Sequence, residues 1–228
     1  MLLTTLVVLA ARWATFDCYG TLVDWNGGIR RELVRLFGIG ESQRLLERYH
    51  ELEPIVQREA YRSYRDVLTE TLRRLAVAEN LSLPEGEEDA LPRSLPSWDV
   101  FPEVPAALEE ARRRGWRLAI LSNTDRDLIA ASKERIGVPF DETVVAEEVG
   151  SYKPAHGHWA EFFRRTDARP DHHVHVAASL FHDIAPANEL GLRSVWINRL
   201  AERPRPEPSR ELPNLAGLAD VLDELVGA

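Results

Sequence analysis

The stretch from Phe16 to Asp24 (FDCYGTLVD) contains the residue best placed to act as a nucleophile, Asp17. The apolar run before it, residues 12–16, predicts a buried β-strand, and Gly20 permits a sharp turn directly afterwards. Open α/β sheets bind their ligands at the carboxyl ends of parallel strands, which is where this carboxylate would lie. A carboxylate in that position can form a covalent intermediate with a bound substrate.

The elements that would position this carboxylate follow a regular pattern over the second half of the chain. From residue 105 onward, helical and strand patterns alternate. The predicted strands are 117–121, 143–146, 173–177 and 194–198, and the predicted helices are 105–114, 126–136, 156–166, 184–190 and 218–226. Strands and helices that alternate at this spacing predict a parallel sheet covered by helices on both faces.

A helical stretch lies between the first strand and this alternating part. Apolar residues at 29, 33, 36 and 37 have helical spacing, and the pattern continues through 42–56 and 59–78. Residues 80–96 are rich in proline and acidic residues, which predicts a loop with one short helix at most. We therefore expect two parts: an α/β core formed by 1–24 and 99–228, and a helical insertion formed by 25–98.

The Asp17 segment resembles the first motif of the haloacid dehalogenase-like hydrolase superfamily, hhhhDxDGT, in which h is an apolar residue. The variant in this chain, Asp-x-Tyr-Gly-Thr, resembles the L-2-haloacid dehalogenase branch. The resemblance covers nearly the whole chain and implies an α/β fold, a Rossmann-like parallel sheet core with a helical cap inserted after the first strand. It also implies that Asp17 is the nucleophile and that Thr21 orients it.

Tyr19 stands where the phosphatase members of the superfamily carry a second Asp as general acid. An alkoxide leaving group needs a proton from such an acid, whereas a halide leaves as a stable anion and needs none. Tyr19 therefore favours dehalogenation, and we expect its side chain to contact the substrate.

Two further motifs supply hydrogen-bonding groups and a cation. Ser122 and Asn123 resemble the second motif, which implies that Ser122 holds the substrate carboxylate and that Asn123 binds the departing halide. The same pair could instead cap only the following helix. Lys153, in the sequence Gly-Ser-Tyr-Lys-Pro, resembles the third motif and is one of two lysines in the chain. Its ammonium would keep Asp17 ionised and offset the charge of an anionic substrate.

The fourth motif differs from both branches. Phosphatases carry two acids there, in the pattern GDSxxxD, and the first typically helps to bind Mg²⁺. Here Ala178 replaces that first acid, while Asp183 matches the second. Because Mg²⁺ prefers octahedral oxygen coordination, we predict a metal-free hydrolase without a cofactor.

Dehalogenases carry Ser-Ser-Asn and then Asp; Ser179 and Asp183 match, but Ala178 and Leu180 do not. The resemblance implies that Asp183 activates water and that Ser179 lies beside the substrate.

The family also uses an arginine of the cap to bind halide or carboxylate. Arg58, Arg62 and Arg65 lie in the corresponding region, and we favour Arg58, although this stretch is also a plausible solvated face. The resemblance implies that Trp159, six residues after the lysine, lines the pocket. A large indole there would narrow the cavity and favour short acids such as haloacetates.

Together the motifs predict a hydrolase that displaces halide from a short 2-haloalkanoate through an aspartyl ester. Two alternatives remain open. One is a Mg²⁺-dependent phosphatase of the same superfamily that acts on a small phosphate ester, since Asp17, Ser122 and Lys153 serve either reaction. The other is a catalytically degenerate protein that binds a ligand without converting it.

Composition limits the partners of the protein. The chain has 228 residues, 44% hydrophobic and 29% charged, as is ordinary for a globular protein. A net charge of −9 argues against general nucleic-acid binding, because nothing would offset phosphate repulsion. We expect a small-molecule substrate and no nucleic-acid or membrane partner; apolar faces on the insertion would permit a homodimer.

The single cysteine and the apolar start of the chain bear on its compartment. Cys18 alone cannot form an intrachain disulfide and fits a reducing, cytoplasmic environment. Residues 1–10 lack the basic start of a signal peptide, so we interpret them as an extension of the first strand or as an early start codon. No other stretch approaches the ~20 apolar residues of a membrane helix.

Overall fold

The computed structural model describes residues 10–227, and within them six parallel strands form one sheet. The strands are β1 (Arg12–Phe16), β2 (Trp116–Ser122), β3 (Glu142–Val145), β4 (His173–Ala177), β5 (Arg193–Ile197) and β6 (Arg210–Leu212). Their order across the sheet is β3-β2-β1-β4-β5-β6, so β1 lies between β2 and β4. The parallel α/β sheet predicted from the sequence is confirmed. The edge strand β6 falls in a proline-rich segment and was not predicted.

The central strands are buried on both faces, which explains their continuous rather than alternating apolar runs. The covering helices are α5 (Val104–Arg113), α6 (Arg126–Ile136), α7 (Ala146–Val149), α8 (Gly157–Arg165), α9 (Ala185–Glu189) and α10 (Leu218–Val226). Because every strand pair is parallel, the carboxyl ends of β1, β2 and β4 lie at the same edge.

The insertion between β1 and α5 is helical, as predicted. It contains α1 (Trp25–Phe37), α2 (Ser42–Glu59), α3 (Tyr64–Ala78) and α4 (Ala90–Ser94). Two of these helices have an N-terminal cap. The Asp24 side chain accepts a hydrogen bond from the backbone N–H of Gly27 at the start of α1, and the Ser63 side chain accepts one from that of Asp66 at the start of α3. The division into a core of 1–24 with 99–228 and an insertion of 25–98 stays a prediction.

The insertion is tied to the sheet at the start of α3. The carboxylate of Asp125, which follows β2, accepts from the backbone N–H groups of Tyr64 at 2.8 Å and Arg65 at 2.9 Å. A carboxylate at a helix N-terminus stabilises that end of the helix. This contact therefore fixes α3 over the carboxyl edge of the sheet.

The predicted strand extension in residues 1–10 falls almost entirely outside the described residues, which begin at residue 10. Within residues 10–227, no helix is both long and apolar enough to cross a membrane.

Candidate active site

The carboxyl edge of the sheet faces α1, α2 and α3 across a cavity of about 330 Å³. The wall contributed by the core contains Asp17, Tyr19, Ser122, Lys153, Ser179 and Asp183. The opposite wall, called the insertion wall below, contains Asn26, His50, Glu53, Gln57 and Tyr64. The structure thus brings together nearly all the residues that the sequence motifs single out.

Asp17 follows β1, and the turn after it brings a hydroxyl back to the carboxylate. Gly20 has a φ of +90°, a conformation that glycine adopts without a steric cost. Thr21 Oγ1 donates to Asp17 Oδ2 at 2.9 Å and accepts from the backbone N–H of Ala178 at 2.9 Å. The turn therefore orients the carboxylate and attaches it to the end of β4.

Lys153 connects two carboxylates inside the protein. Its residue is 1% exposed, and Nζ donates to Asp17 Oδ1 at 3.0 Å, to Asp183 Oδ1 at 2.6 Å and to the carbonyl oxygen of Leu121 at 2.8 Å. Burial lowers the pKa of Lys153, but the two carboxylates outweigh it and raise this pKa above its ordinary value. The lysine is therefore charged, and all three of its N–H bonds are used.

The two carboxylates differ in basicity. Burial raises the pKa of Asp17, Lys153 lowers it, and the charge of Asp183 raises it again; the result lies above the ordinary value. For Asp183, Lys153 and His175 outweigh burial and hold the pKa well below its usual range. The shorter contact from Lys153 goes to Asp183, which leaves Asp17 as the more basic carboxylate. Two neighbouring acids with separated pKa values are typical of acids with distinct catalytic roles.

His175 is a residue that the sequence analysis missed. It lies on β4, and its Nε2 is 3.0 Å from Asp183 Oδ1. Its Nδ1 is 2.8 Å from Thr15 Oγ1, which is also 2.8 Å from Nε2 of His173. These three side chains are fully buried and form a hydrogen-bonded chain behind Asp183. A feature of the sequence could have revealed it. His173 and His175 are two residues apart in a strand that is otherwise apolar, so both side chains lie on the same face of the sheet.

Asp183 is left with one free oxygen. Oδ1 takes the bonds from Lys153 and His175, whereas Oδ2 is buried and has no hydrogen-bond partner among the described residues. Since Asp183 lines the cavity, that oxygen is available to a water molecule or a ligand.

The second motif supplies one free hydroxyl and one structural amide. Ser122 Oγ is buried, lines the cavity and has no partner among the described residues. Asn123 also lines the cavity, but its amide accepts from the Lys153 backbone N–H at 2.7 Å and donates to the Lys153 carbonyl at 3.0 Å. Asn123 therefore holds the loop that carries the lysine; its contact with halide stays a prediction.

Tyr19 and Ser179 both line the cavity with their hydroxyl groups engaged. Tyr19 OH is 3.0 Å from Ser132 Oγ, and its ring stacks against Tyr64. Ser179 Oγ accepts from the backbone N–H of His182 at 3.0 Å. Burial lowers the pKa of His182, which also lines the cavity and is therefore neutral.

Two residues predicted to contact the substrate do not lie in the wall of this cavity. Arg58 does not line the cavity that contains Asp17; its Nε donates to the Pro54 carbonyl at 3.0 Å, and its side chain borders a neighbouring recess. The reason is helical geometry, since the positions of α2 that face the cavity are 50, 53, 54 and 57.

Trp159 is likewise absent from the cavity wall. It lies on α8, which packs its buried face against the sheet, and its ring contacts His175 edge-on with centroids 5.1 Å apart. The prediction that its indole narrows the cavity is therefore wrong. Aromatic walls come instead from Tyr19, Trp25 and Tyr64.

The donor set does not fit the Mg²⁺ that phosphatases of this superfamily use. Both oxygens of Asp17 are bonded, to Lys153 and Thr21, and Ala178 offers only a methyl group. In the part of the chain that the structure describes, no three His, Cys, Asp or Glu side chains are grouped to hold a metal ion. Mg²⁺ takes about six oxygen ligands.

The haloacid dehalogenase-like hydrolase family matches residues 11–191. Since this match spans most of the chain, the protein belongs to the haloacid dehalogenase-like hydrolases and is an enzyme. The superfamily resemblance read from the motifs is confirmed.

Relatives of two kinds are found. (S)-2-haloacid dehalogenase 4A of Burkholderia cepacia is 25% identical over 206 residues, which are 88% of this chain and 89% of the relative. Phosphoserine phosphatase of Thermus thermophilus is 31% identical over 117 residues, 50% of this chain and 47% of the relative. A crystal structure of an L-2-haloacid dehalogenase superposes with a TM-score of 0.85 at 24% identity, over 94% of this chain and all of that one.

Proposed function

We propose that the protein displaces halide from short 2-haloalkanoates in two steps, through an ester of Asp17 and without a metal ion. The observation that carries this proposal is a buried carboxylate held by Lys153 and Thr21, beside a Tyr19 whose hydroxyl bonds Ser132. This arrangement supplies a nucleophile but no acid for a poor leaving group. The relative named as a 2-haloacid dehalogenase, which matches most of the chain, supports the same reaction.

In the first step, a carboxylate oxygen of Asp17 attacks the carbon that bears the halogen. A carbon–oxygen bond forms, and the carbon–halogen bond breaks with its electron pair leaving on the halide. Ser122 Oγ is free to donate to the substrate carboxylate. The rings of Tyr19, Trp25 and Tyr64 limit the water around Asp17, and a less hydrated carboxylate is a stronger nucleophile.

In the second step, Asp183 Oδ2 accepts a proton from a water molecule whose oxygen attacks the carbonyl carbon of the Asp17 ester. The bond between that carbon and the ester oxygen breaks, and the departing alkoxide takes the proton of the newly formed Asp17 carboxyl group, which releases a 2-hydroxy acid and restores the Asp17 carboxylate. The charge of Lys153, 3.0 Å from Asp17 Oδ1, stabilises the negative oxygen that forms. The proton on Asp183 then passes to solvent.

The phosphatase alternative would bring a dianion into the same cavity. Within residues 10–227, Lys153 is the only Lys or Arg that lines it, and its N–H bonds already go to protein acceptors. Four acidic side chains line the cavity, Asp17, Glu53, Asp183 and Glu202. Without a metal ion, a phosphate would meet more negative than positive charge. This excess of acidic side chains in the cavity disfavours a phosphate dianion more than the single negative charge of a 2-haloacid.

The test compares the two reactions directly. Halide release from chloroacetate and 2-chloropropionate is measured in EDTA, beside hydrolysis of p-nitrophenyl phosphate with Mg²⁺, for the wild type and Asp17→Asn. We expect halide release that persists in EDTA and is lost in the variant. Phosphate release that requires Mg²⁺, without halide release, would replace this proposal with the phosphatase. Absence of both reactions would favour a binding protein.

A further inference from the structure

The insertion wall contains a carboxyl group that the proposed reaction does not use. Glu53 lies on α2, is only 6% exposed, and lines the same cavity as Asp17. Burial raises the pKa of Glu53 to about 7, although hydrogen bonds with Gln57 and Tyr64 lower it. Burying a carboxyl group without a neutralising cation destabilises a fold. A role in binding would explain why this position is acidic.

The side chains near Glu53 in the insertion and in the loop before the lysine are uncharged. The charged groups of the cavity, Asp17, Lys153, Asp183 and Glu202, belong to the core across from it. Burial raises the pKa values of Tyr49 on the same helix, Tyr64 on α3 and Tyr152 in the loop before the lysine, so all three keep their protons. Burial lowers the pKa of the adjacent His50, which is therefore neutral near pH 7.

The arginines of the insertion that could neutralise this wall are bonded elsewhere. Arg58 Nε donates to a backbone carbonyl, Arg62 pairs with Glu59, and Arg65 pairs with Asp127. The insertion wall therefore carries an ionisable acid without a compensating cation from these residues.

Two buried atoms of the same wall lack partners. Asn26 Oδ1 and His50 Nε2 make no hydrogen bond to the described residues, and both residues line the cavity beside Glu53. Buried polar atoms normally have partners, so a ligand that bonds them is stabilised. Since Asn26 and the neutral His50 carry no charge, these two atoms would hydrogen-bond well with an uncharged polar group of a ligand.

We propose that Glu53 determines substrate specificity: the cavity accepts 2-haloacids whose remaining substituent is uncharged and bears a hydroxyl group, and it rejects those with a second carboxylate. The proposal rests on the proposed function, which supplies the 2-haloacid. A hydroxyl can accept from the protonated Glu53 or donate to its carboxylate, so it is bound in either state. A second carboxylate meets a like charge once Glu53 ionises.

The experiment measures kcat/KM by halide release for 2-chloro-3-hydroxypropionate, for 2-chlorobutyrate, which has a methyl in place of the hydroxyl, and for 2-chlorosuccinate. For the wild type we expect the hydroxyl compound to exceed 2-chlorobutyrate by about tenfold or more. Glu53→Leu should abolish that preference. Glu53→Gln, which keeps the shape and a hydrogen bond, should raise the ratio of kcat/KM for 2-chlorosuccinate to that for 2-chlorobutyrate about tenfold.

The discrimination against 2-chlorosuccinate should depend on pH. As pH rises from 6 to 8, Glu53 loses its proton, so the ratio of 2-chlorosuccinate to 2-chlorobutyrate should fall in the wild type and stay flat in Glu53→Gln. Glu47→Gln is the matched control, because it removes an exposed acid from the same helix. It should behave as the wild type.

The outcomes separate the two proposals. If 2-chlorobutyrate releases halide but Glu53→Gln leaves the 2-chlorosuccinate ratio and its pH dependence unchanged, the role of Glu53 is overturned and the dehalogenase remains. If none of the three compounds releases halide, the proposed function itself fails. Thermal melting of each variant confirms that it is folded.

Discussion

At the scale of single residues, Lys153 joins the parts of the site. It contacts Asp17 and Asp183 directly, so two buried carboxylates share one cation. Breaking a buried ion pair by removing one partner leaves an uncompensated charge, which is strongly destabilising. We therefore expect the lysine to contribute to the fold as well as to the proposed reaction.

We predict that Lys153→Met lowers the free energy of unfolding by about 3–5 kcal/mol near pH 8. In the wild type the pKa of Asp183 is depressed, so its contribution is present above its unfolded value and is lost as pH falls. In the variant, two buried acids without a cation have raised pKa values, and protonation at lower pH relieves their repulsion.

Urea denaturation of both proteins at pH 8 and pH 5 checks this prediction. The difference in the free energy of unfolding between wild type and variant should be smaller at pH 5 than at pH 8. A difference that is larger at pH 5 would contradict the prediction. The control is Lys133→Met, which removes the other lysine; its Nζ bonds only Thr143 Oγ1 at 2.8 Å, so the cost should stay below about 1 kcal/mol.

At the scale of secondary structure, β1 and β4 contribute a network behind the site. Thr15 of β1 and His175 of β4 meet inside the sheet, and His175 holds Asp183 Oδ1. This contact engages Oδ1, whereas Oδ2 has no partner among the described residues. In the proposed reaction, His175 is therefore a positioning residue for Asp183.

We predict that His175→Leu slows ester hydrolysis by roughly tenfold to a hundredfold, with a smaller effect on ester formation, because only the second step needs an oriented Asp183. Mixing the variant with 2-chloropropionate should give a covalent adduct detectable by intact-protein mass spectrometry. His173→Phe, two links further from Asp183, is the control and should accumulate less adduct. An equal slowing of both steps would refute the positioning role.

Helix α1 packs closely against Trp98, the last residue of the insertion. A Cβ atom added at Gly28 of α1 would lie 2.3 Å from the ring of Trp98, which is buried. We predict that Gly28→Ala destabilises the protein by about 1–3 kcal/mol. Gly40→Ala, where no atom lies within 4 Å, should change stability by less than about 0.5 kcal/mol. Similar melting temperatures for both variants would contradict the contact.

The sequence predicted the strands and the residues that follow them better than it predicted helix faces. Asp17 directly follows β1 and Ser122 ends β2, so parallel pairing brings these two residues together. Asp183 lies on the helical turn Leu180–Ile184 after β4. Arg58 and Trp159 lie outside the wall of this cavity, because the direction of a helical side chain depends on which face of its helix is buried. In the sequence, Glu53 cannot be distinguished from an acidic residue on the solvent-exposed face of a helix. It is buried only because α2 packs over the sheet.

At the scale of the whole molecule, the reaction site lies between a sheet and a helical insertion. The core supplies Asp17, Lys153 and Asp183, and the insertion supplies the wall that contains Glu53. In the proposed reaction, this division would separate the chemistry from the choice of substrate, since the two sets of side chains belong to different elements. A homodimer stays a prediction.

An ester intermediate on Asp17 can be tested by a single turnover in H₂¹⁸O, with enzyme in excess over 2-chloropropionate. If water attacks the carbonyl carbon of Asp17, as proposed, the lactate product is unlabelled and the peptide that contains Asp17 gains one ¹⁸O atom. A lactate that carries ¹⁸O in its hydroxyl group after one turnover, with unlabelled Asp17, would mean that water attacks the substrate itself and that no ester forms on Asp17.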